Sequence, residues 1–176
     1  MRSTSNWRVP AMTTAPLPDS RRVTPLRGAA ARLEPAAYAL LRFAFGAILF
    51  THGLPKALGT SHGSMADPMA GSIRLIDQVM GLPFAPQLAF LVMLLETVGA
   101  VSLAIGFCTR WVALAFTMEM IGICAALGPT WPWIDRGIEY PVLMAVLAAY
   151  VVVRGGGAYA MDGRMLNPSR PQARKG

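Results

Sequence analysis

The chain has 176 residues, 54% of them hydrophobic and only 14% charged, with a mean hydropathy of +0.45 and a formal net charge of +7. Soluble domains carry about 25% charged residues, so this composition excludes an ordinary soluble domain and points to a membrane protein. The excess of positive charge has a topological cause, set out below, which makes nucleic-acid binding a poor inference from it.

Residues 1–34 are rich in Pro, Ser, Thr and Arg and show almost no apolar periodicity, so they are expected to form a disordered basic tail. Met12 qualifies as a start as well as Met1. Ser20-Arg21-Arg22 resembles the core of a twin-arginine signal, but the following apolar run is too long, contains Arg42 and lacks a small-residue cleavage pattern. Four long apolar runs follow, at 35–57, 84–106, 110–129 and 138–154. Each is near the roughly 20 residues that a spanning helix requires, and the fourth is the shortest. The expected fold is therefore all-α, an integral membrane four-helix bundle over 35–157, followed by a tail at 158–176. The connection 58–83 is flexible at its start. Met69, Ile73, Ile76 and Met80 within it keep a helical period and suggest a short amphipathic helix on the membrane surface.

Arginine placement sets the orientation. Arg2, Arg8, Arg21, Arg22, Arg27 and Arg32 precede the first run, Arg110 lies between the second and third, and Arg154, Arg164, Arg170, Arg174 and Lys175 end or follow the fourth. Lys56, Arg74 and Arg136 fall on the other side. The positive-inside rule then places both termini in the cytoplasm, in the inner (plasma) membrane of a bacterium. Trp131, Trp133 and Tyr140 mark the opposite rim as an aromatic belt. Cys108 and Cys124 on one helix would stand about 24 Å apart, too far to pair.

Each run carries ionisable residues that a lipid-facing helix would avoid: Arg42, Glu96, Glu119 and, opening the fourth, Glu139. Arg42, Gly46, Leu49, Gly53 and Lys56 share a stripe on the first helix. Glu96, Gly99, Leu103 and Gly106 share one on the second, as do Ala115, Glu119, Gly122 and Ala126 on the third. Small residues on these seams indicate helix–helix contact. Glu96 and Glu119 fall near mid-membrane, within reach of the long Arg42 side chain, and are expected to titrate as a coupled pair with the proton assigned to neither. A second cluster gathers His52, Lys56, Asp135, Arg136 and Glu139 at the outer rim, where a Lys56 or His52 contact to Glu139 would tie the first helix to the fourth. His52, His62 and Asp67 show no recognisable metal-ligand spacing, so no metal is expected. No nucleophile elbow, phosphate loop, Cys-x-x-Cys or dinucleotide fingerprint occurs.

These residues resemble the DoxX family of four-helix membrane proteins. The resemblance spans about 36–162. It rests on Leu41-Arg42-Phe43, His52-Gly53-Leu54-Pro55-Lys56, Gly81-Leu82-Pro83, Glu96-Thr97-Val98-Gly99, Gly106-Phe107-Cys108-Thr109-Arg110, Glu139, and the closing Gly155-Gly156-Gly157-Ala158-Tyr159-Ala160-Met161-Asp162. The chain departs from the pattern at Ala100, where a second glycine is usual, and at Ala160, where serine is common. The resemblance implies a membrane subunit of a quinone-linked oxidoreductase system. Arg42, His52, Lys56, Glu96 and Glu139 would then line a quinone or small-molecule pocket, and Glu96 or Glu119 would handle protons. With no flavin, haem or dithiol motif in the chain, a redox partner protein is expected to bring the electrons. The lipid bilayer is the other expected partner, and a homo-oligomer is compatible with the sequence. A small transporter or proton channel, and a non-catalytic scaffold, remain open as alternatives.

Overall fold

A computed structural model describes residues 25–135 and 137–166 of the chain. The chain divides between Arg32 and Leu33. The described part of the first unit, residues 25–32, is helical, and the account below concerns the second unit. Most of the expected tail 1–34, the last ten residues and Arg136 lie outside the described residues.

Helix α1 is Pro25–Leu58, ten residues longer at its start than the sequence suggests. The extension has a local cause: Pro25 suits a first turn, and Leu26 to Leu33 consists largely of strong helix formers. The connection folds into α2, Pro68–Arg74, capped by the Asp67 side chain, which accepts from the Ala70 amide at 2.9 Å. A single π-helical turn, Leu75–Val79, extends it. Helix α3 runs over Ala85–Ile105, interrupted at Leu95–Gly99 by a second π-helical turn. Helix α4 is Thr109–Leu127, α5 is Glu139–Arg154, and a short α6, Met161–Leu166, closes the described chain.

The chain is an all-α membrane protein. Among the described residues α1, α3 and α4 are long and apolar enough to cross a bilayer. Helix α5 has 16 residues, so it extends about 24 Å, and it packs along α4. The interior is built by Phe45 and Leu49 of α1, Ala100 and Leu103 of α3, Ala113, Phe116 and Met120 of α4, and Met144, Ala148 and Val151 of α5. Large apolar side chains such as Phe43, Val98, Trp111, Met118, Val146 and Val153 point outward, which lipid tolerates and water would penalise. The connection forms the expected short helix, and Met69 and Ile73 on it, with Ile76 and Met80 beyond it, pack on Ala85, Leu88 and Ala89 of α3.

Two glycines set the spacing of α1 against α3. A Cβ on Gly46 would stand 2.5 Å from the Ala100 carbonyl oxygen, and one on Gly53 would stand 2.6 Å from the Glu96 carbonyl carbon. Backbone therefore lies on backbone, and any side chain must push the helices apart. Gly46→Ala and Gly53→Ala are each expected to cost about 1–3 kcal/mol, the usual range for overpacking. Thermal unfolding in detergent checks this against Gly122→Ala, where the nearest atom is the flexible Met80 methyl at 3.7 Å.

Candidate functional site

The site begins with the inward stripe of α1. Gly53 seats α1 on the backbone of Glu96, and Lys56, three residues on, lies on the same face. Its ammonium donates to Glu96 Oε2 at 2.5 Å, with side-chain exposures of 10% and 6%. Glu96 belongs to the π-helical turn of α3. Such a turn adds a residue and breaks the regular hydrogen-bond ladder; π-turns are often found at functional sites. Within it the Thr97 hydroxyl donates to the Met93 carbonyl at 2.7 Å.

The third member of the site is Glu119. The fully inward line of α4 is Thr109, Ala113, Phe116 and Met120, so the expected seam through Ala115, Glu119, Gly122 and Ala126 is a flank of that core line. Both Glu119 carboxyl oxygens are buried, and no N–H or hydroxyl donor among the described residues reaches them; the Glu96 carboxyl lies within hydrogen-bonding range, so the two acids can share a proton. The group interacts electrostatically with Glu96 and Lys56. Packing from the 58–83 connection covers this flank: the Met80 methyl lies against Gly122, one turn from Glu119.

Two cavities share the ion pair as a wall. One, of about 410 Å³, is lined mainly by aliphatic side chains of α2, α3 and α4, with Lys56, Ser72, Glu96 and Glu119 supplying its polar atoms. The other, of about 450 Å³, carries His52, Lys56, His62, Glu96 and Tyr140. Volumes of this size suit a small organic ligand. Neither His62, Ser72 nor Tyr140 stands out by spacing in the sequence. The connection and the start of α5 bring them in, and only the turn-forming Gly59 and Gly63 near His62 hint at it.

The remaining expected site residues lie elsewhere. Arg42 lines neither cavity, and the expected Arg42–Glu96 pair does not form: eleven residues separate Arg42 from Gly53 on α1, about 16 Å along the helix. Its guanidinium donates to the Gly156 carbonyl and, at 3.5 Å, to that of Ala104. Ala104 lies in the last turn of α3 and Gly156 two residues past the end of α5, so carbonyls at the C-terminal ends of two helices supply negative potential to the buried cation. Glu139 opens α5 and faces a separate shallow cleft with Trp131 and Tyr140. The expected tie from Lys56 to Glu139 is replaced by the tie to Glu96.

The arginine-rich end is closed by a latch. The Tyr38 hydroxyl donates to the Gly155 carbonyl at 2.5 Å. The Asp162 carboxylate accepts from the amides of Cys108 at 2.7 Å and Thr109 at 2.9 Å, capping α4 where Cys108 offers no side-chain cap of its own. Partial burial pushes the Asp162 carboxyl upward. The hydrogen bonds from Thr109 and Cys108, with the charge of Arg42, more than offset this and hold it below its ordinary value of 3.8. Ala160 fits under Gly106 and Gly156, filling space that any Cβ on those glycines would take.

Two outcomes follow. Lys56→Met leaves a buried carboxylate uncompensated and should cost about 3–5 kcal/mol, while the double change Lys56→Met with Glu96→Leu should recover most of it. Thermal unfolding of the three variants checks the cycle. A carboxyl with a lowered folded value stabilises above its unfolded value and loses that contribution as pH falls through the folded one. Unfolding temperatures measured down through pH 4 should therefore drop more steeply for the native chain than for Asp162→Asn.

No solved structure matches this chain. Among curated proteins it is similar to the "Putative oxidoreductase CatD" of Bacillus subtilis (strain 168), at 28% identity over 123 residues that cover 70% of this chain and 82% of the relative. The sequence model of the DoxX family matches residues 37–129, which takes in Arg42, His52, Lys56, Glu96 and Glu119 and ends before Glu139. More than half of the chain is thereby covered, and it belongs to the DoxX family of small integral membrane proteins.

Proposed function

We propose that this protein is a quinone-binding membrane subunit of an oxidoreductase system, set in a bacterial inner membrane with both termini in the cytoplasm. The observation that carries the reading is the 410 Å³ cavity, an aliphatic chamber whose few polar atoms include an ammonium, its paired carboxylate and a second buried carboxyl beside that carboxylate. A quinone ring fits that chemistry. One ring oxygen would accept from Lys56, the opposite oxygen in its reduced form would donate to Glu119, and the isoprenoid tail would lie along Leu75, Leu88, Leu91 and Val92. The resemblance to a relative named as an oxidoreductase supports the same class. The chain carries no electron-transferring motif, so the electrons would come from a redox partner protein.

Transport or proton conduction across the whole membrane fits less well. Between the Glu96 level and the Arg42 level the bundle is filled by Phe45, Leu49, Leu103, Phe116 and Met144, each at most 3% exposed. A scaffold would explain the Lys56–Glu96 pair but gives no reason to bury a second acid, Glu119, beside it with Lys56 serving both, because poorly compensated polar groups in an apolar interior are costly.

Isoprenoid quinone is expected to co-purify with the protein in mild detergent and to bind it in lipid nanodiscs. Glu119→Gln should weaken binding of the reduced form about tenfold, the equivalent of roughly 1.4 kcal/mol, and that of the oxidised form less. Native protein that neither retains nor binds quinone would overturn the reading.

A further inference from the structure

The second cavity has no part in the ligand pose above, yet it holds the groups that lead from the buried carboxylates to the loop end of the bundle. His52 lies one turn before Lys56 on α1, on the same face. His62 is held against it by a tight turn, in which His62 and Met65 exchange backbone hydrogen bonds of 2.9 and 3.0 Å around Gly63 at φ +55°. The two imidazoles stand edge to face with ring centroids 5.0 Å apart, and both are half-buried. His52 interacts electrostatically with Glu96, His62 and Lys56, and Glu96 in turn with Glu119. Titratable groups thus form a series from the loop through His62 and His52, which line one cavity with Glu96, to Glu119 beside Glu96. Toward the other end of the bundle the same path meets Leu49, Phe45 and Phe116. An interfacial anchor would extend its polar tip toward water. These rings instead face the wall of a cavity that ends on a buried acid.

We propose that His52 and His62 form a proton relay joining the Glu96–Glu119 carboxylates to the aqueous phase at the loop end. In the outward direction a carboxyl O–H proton passes to one ring nitrogen of His52. The opposite nitrogen releases its own proton to His62, directly or through one water, and His62 delivers a proton to solvent; uptake is the reverse. No electrons move, and each carboxylate gains or loses a single proton. Imidazole suits this role because its two nitrogens serve as donor and acceptor at neutral pH. The charged and titratable groups facing His52 are Lys56 from α1, Glu96 from α3, His62 from the connection and Tyr140 from α5, all on the same cavity wall. The relay rests on the proton-handling part of the proposed function and is independent of whether the ligand is a quinone.

The test uses the full-length protein in vesicles of known orientation. After a pH jump on one side, the infrared carboxyl signal assigned by Glu119→Gln is followed in time. In the native protein it should respond to a jump on the loop side. His52→Gln and His62→Ala should slow that response on the order of 10²-fold, a usual contribution of a positioned acid–base group. Imidazole added on the loop side should restore the rate in His62→Ala, which a merely structural defect would not allow. An unchanged rate in both variants, a native response only to jumps on the arginine-rich side, or slowing that imidazole leaves unrepaired would overturn the relay. Quinone affinity in the same vesicles separates the two claims. Loss of native affinity defeats the ligand reading and leaves the relay to the kinetics, whereas intact affinity with unchanged kinetics defeats the relay alone.

Discussion

A charge taken into an apolar bundle must meet a partner, and the Lys56–Glu96 contact is where this chain satisfies that demand at its centre. The contact depends on two backbone features. Gly53 lets α1 rest directly on the peptide of Glu96, and the π-helical turn Leu95–Gly99 places Glu96 in that contact. With the pair formed, α1 and α3 have a fixed separation, and the space left beside the pair becomes the walls of two cavities. Removing the glycine or the lysine would therefore disturb the helix packing and the site together.

The other buried cation is handled by different means. Among the described residues Arg42 has no carboxylate in hydrogen-bonding contact; carbonyls at the ends of two helices accept from it, and Asp162, which caps α4, adds its charge from nearby. Peptide dipoles thus do at the arginine-rich end what a side-chain ion pair does at the centre. This division separates structural from chemical duty. The latch holds Arg42 at its own end of the bundle, while in the chamber the buried Glu119 carboxyl meets no N–H or hydroxyl donor among the described residues and lies beside the Glu96 carboxyl.

The residues that carried the sequence resemblance sort along the same line. Gly106, Thr109, the glycines at 155–157 and Asp162 build the latch, where glycine is required for close approach or positive φ. His52, Gly53, Lys56 and Glu96 build the chamber. Alanine at position 160 suits the latch because its methyl occupies the gap between Gly106 and Gly156. The α2 segment, outside both groups of motifs, acts by packing: it turns its apolar side to α3 and so covers the flank that carries Glu119.

How much of this was legible in the sequence depends on the range of the interaction. Local signals sufficed for the helices, because apolar length and composition dictate a spanning segment and a 3.6-residue period dictates which residues share a face. The stripe Arg42, Gly46, Leu49, Gly53 and Lys56 is the inward face of α1 in the structure, as its glycines imply. Pairing across helices was not legible. Depth estimated from rise allowed Arg42 to reach Glu96, and nothing in the chain revealed that two helix ends would claim the arginine first. Nor did periodicity distinguish the core line of α4 from its flank, since residues 115, 119, 122 and 126 repeat as regularly as 109, 113, 116 and 120. Sequence by itself determined a membrane-embedded helical chain with buried charge. Tertiary structure decided which charges meet, because compensation in a low-dielectric interior depends on where backbone dipoles and side chains from distant segments come to lie.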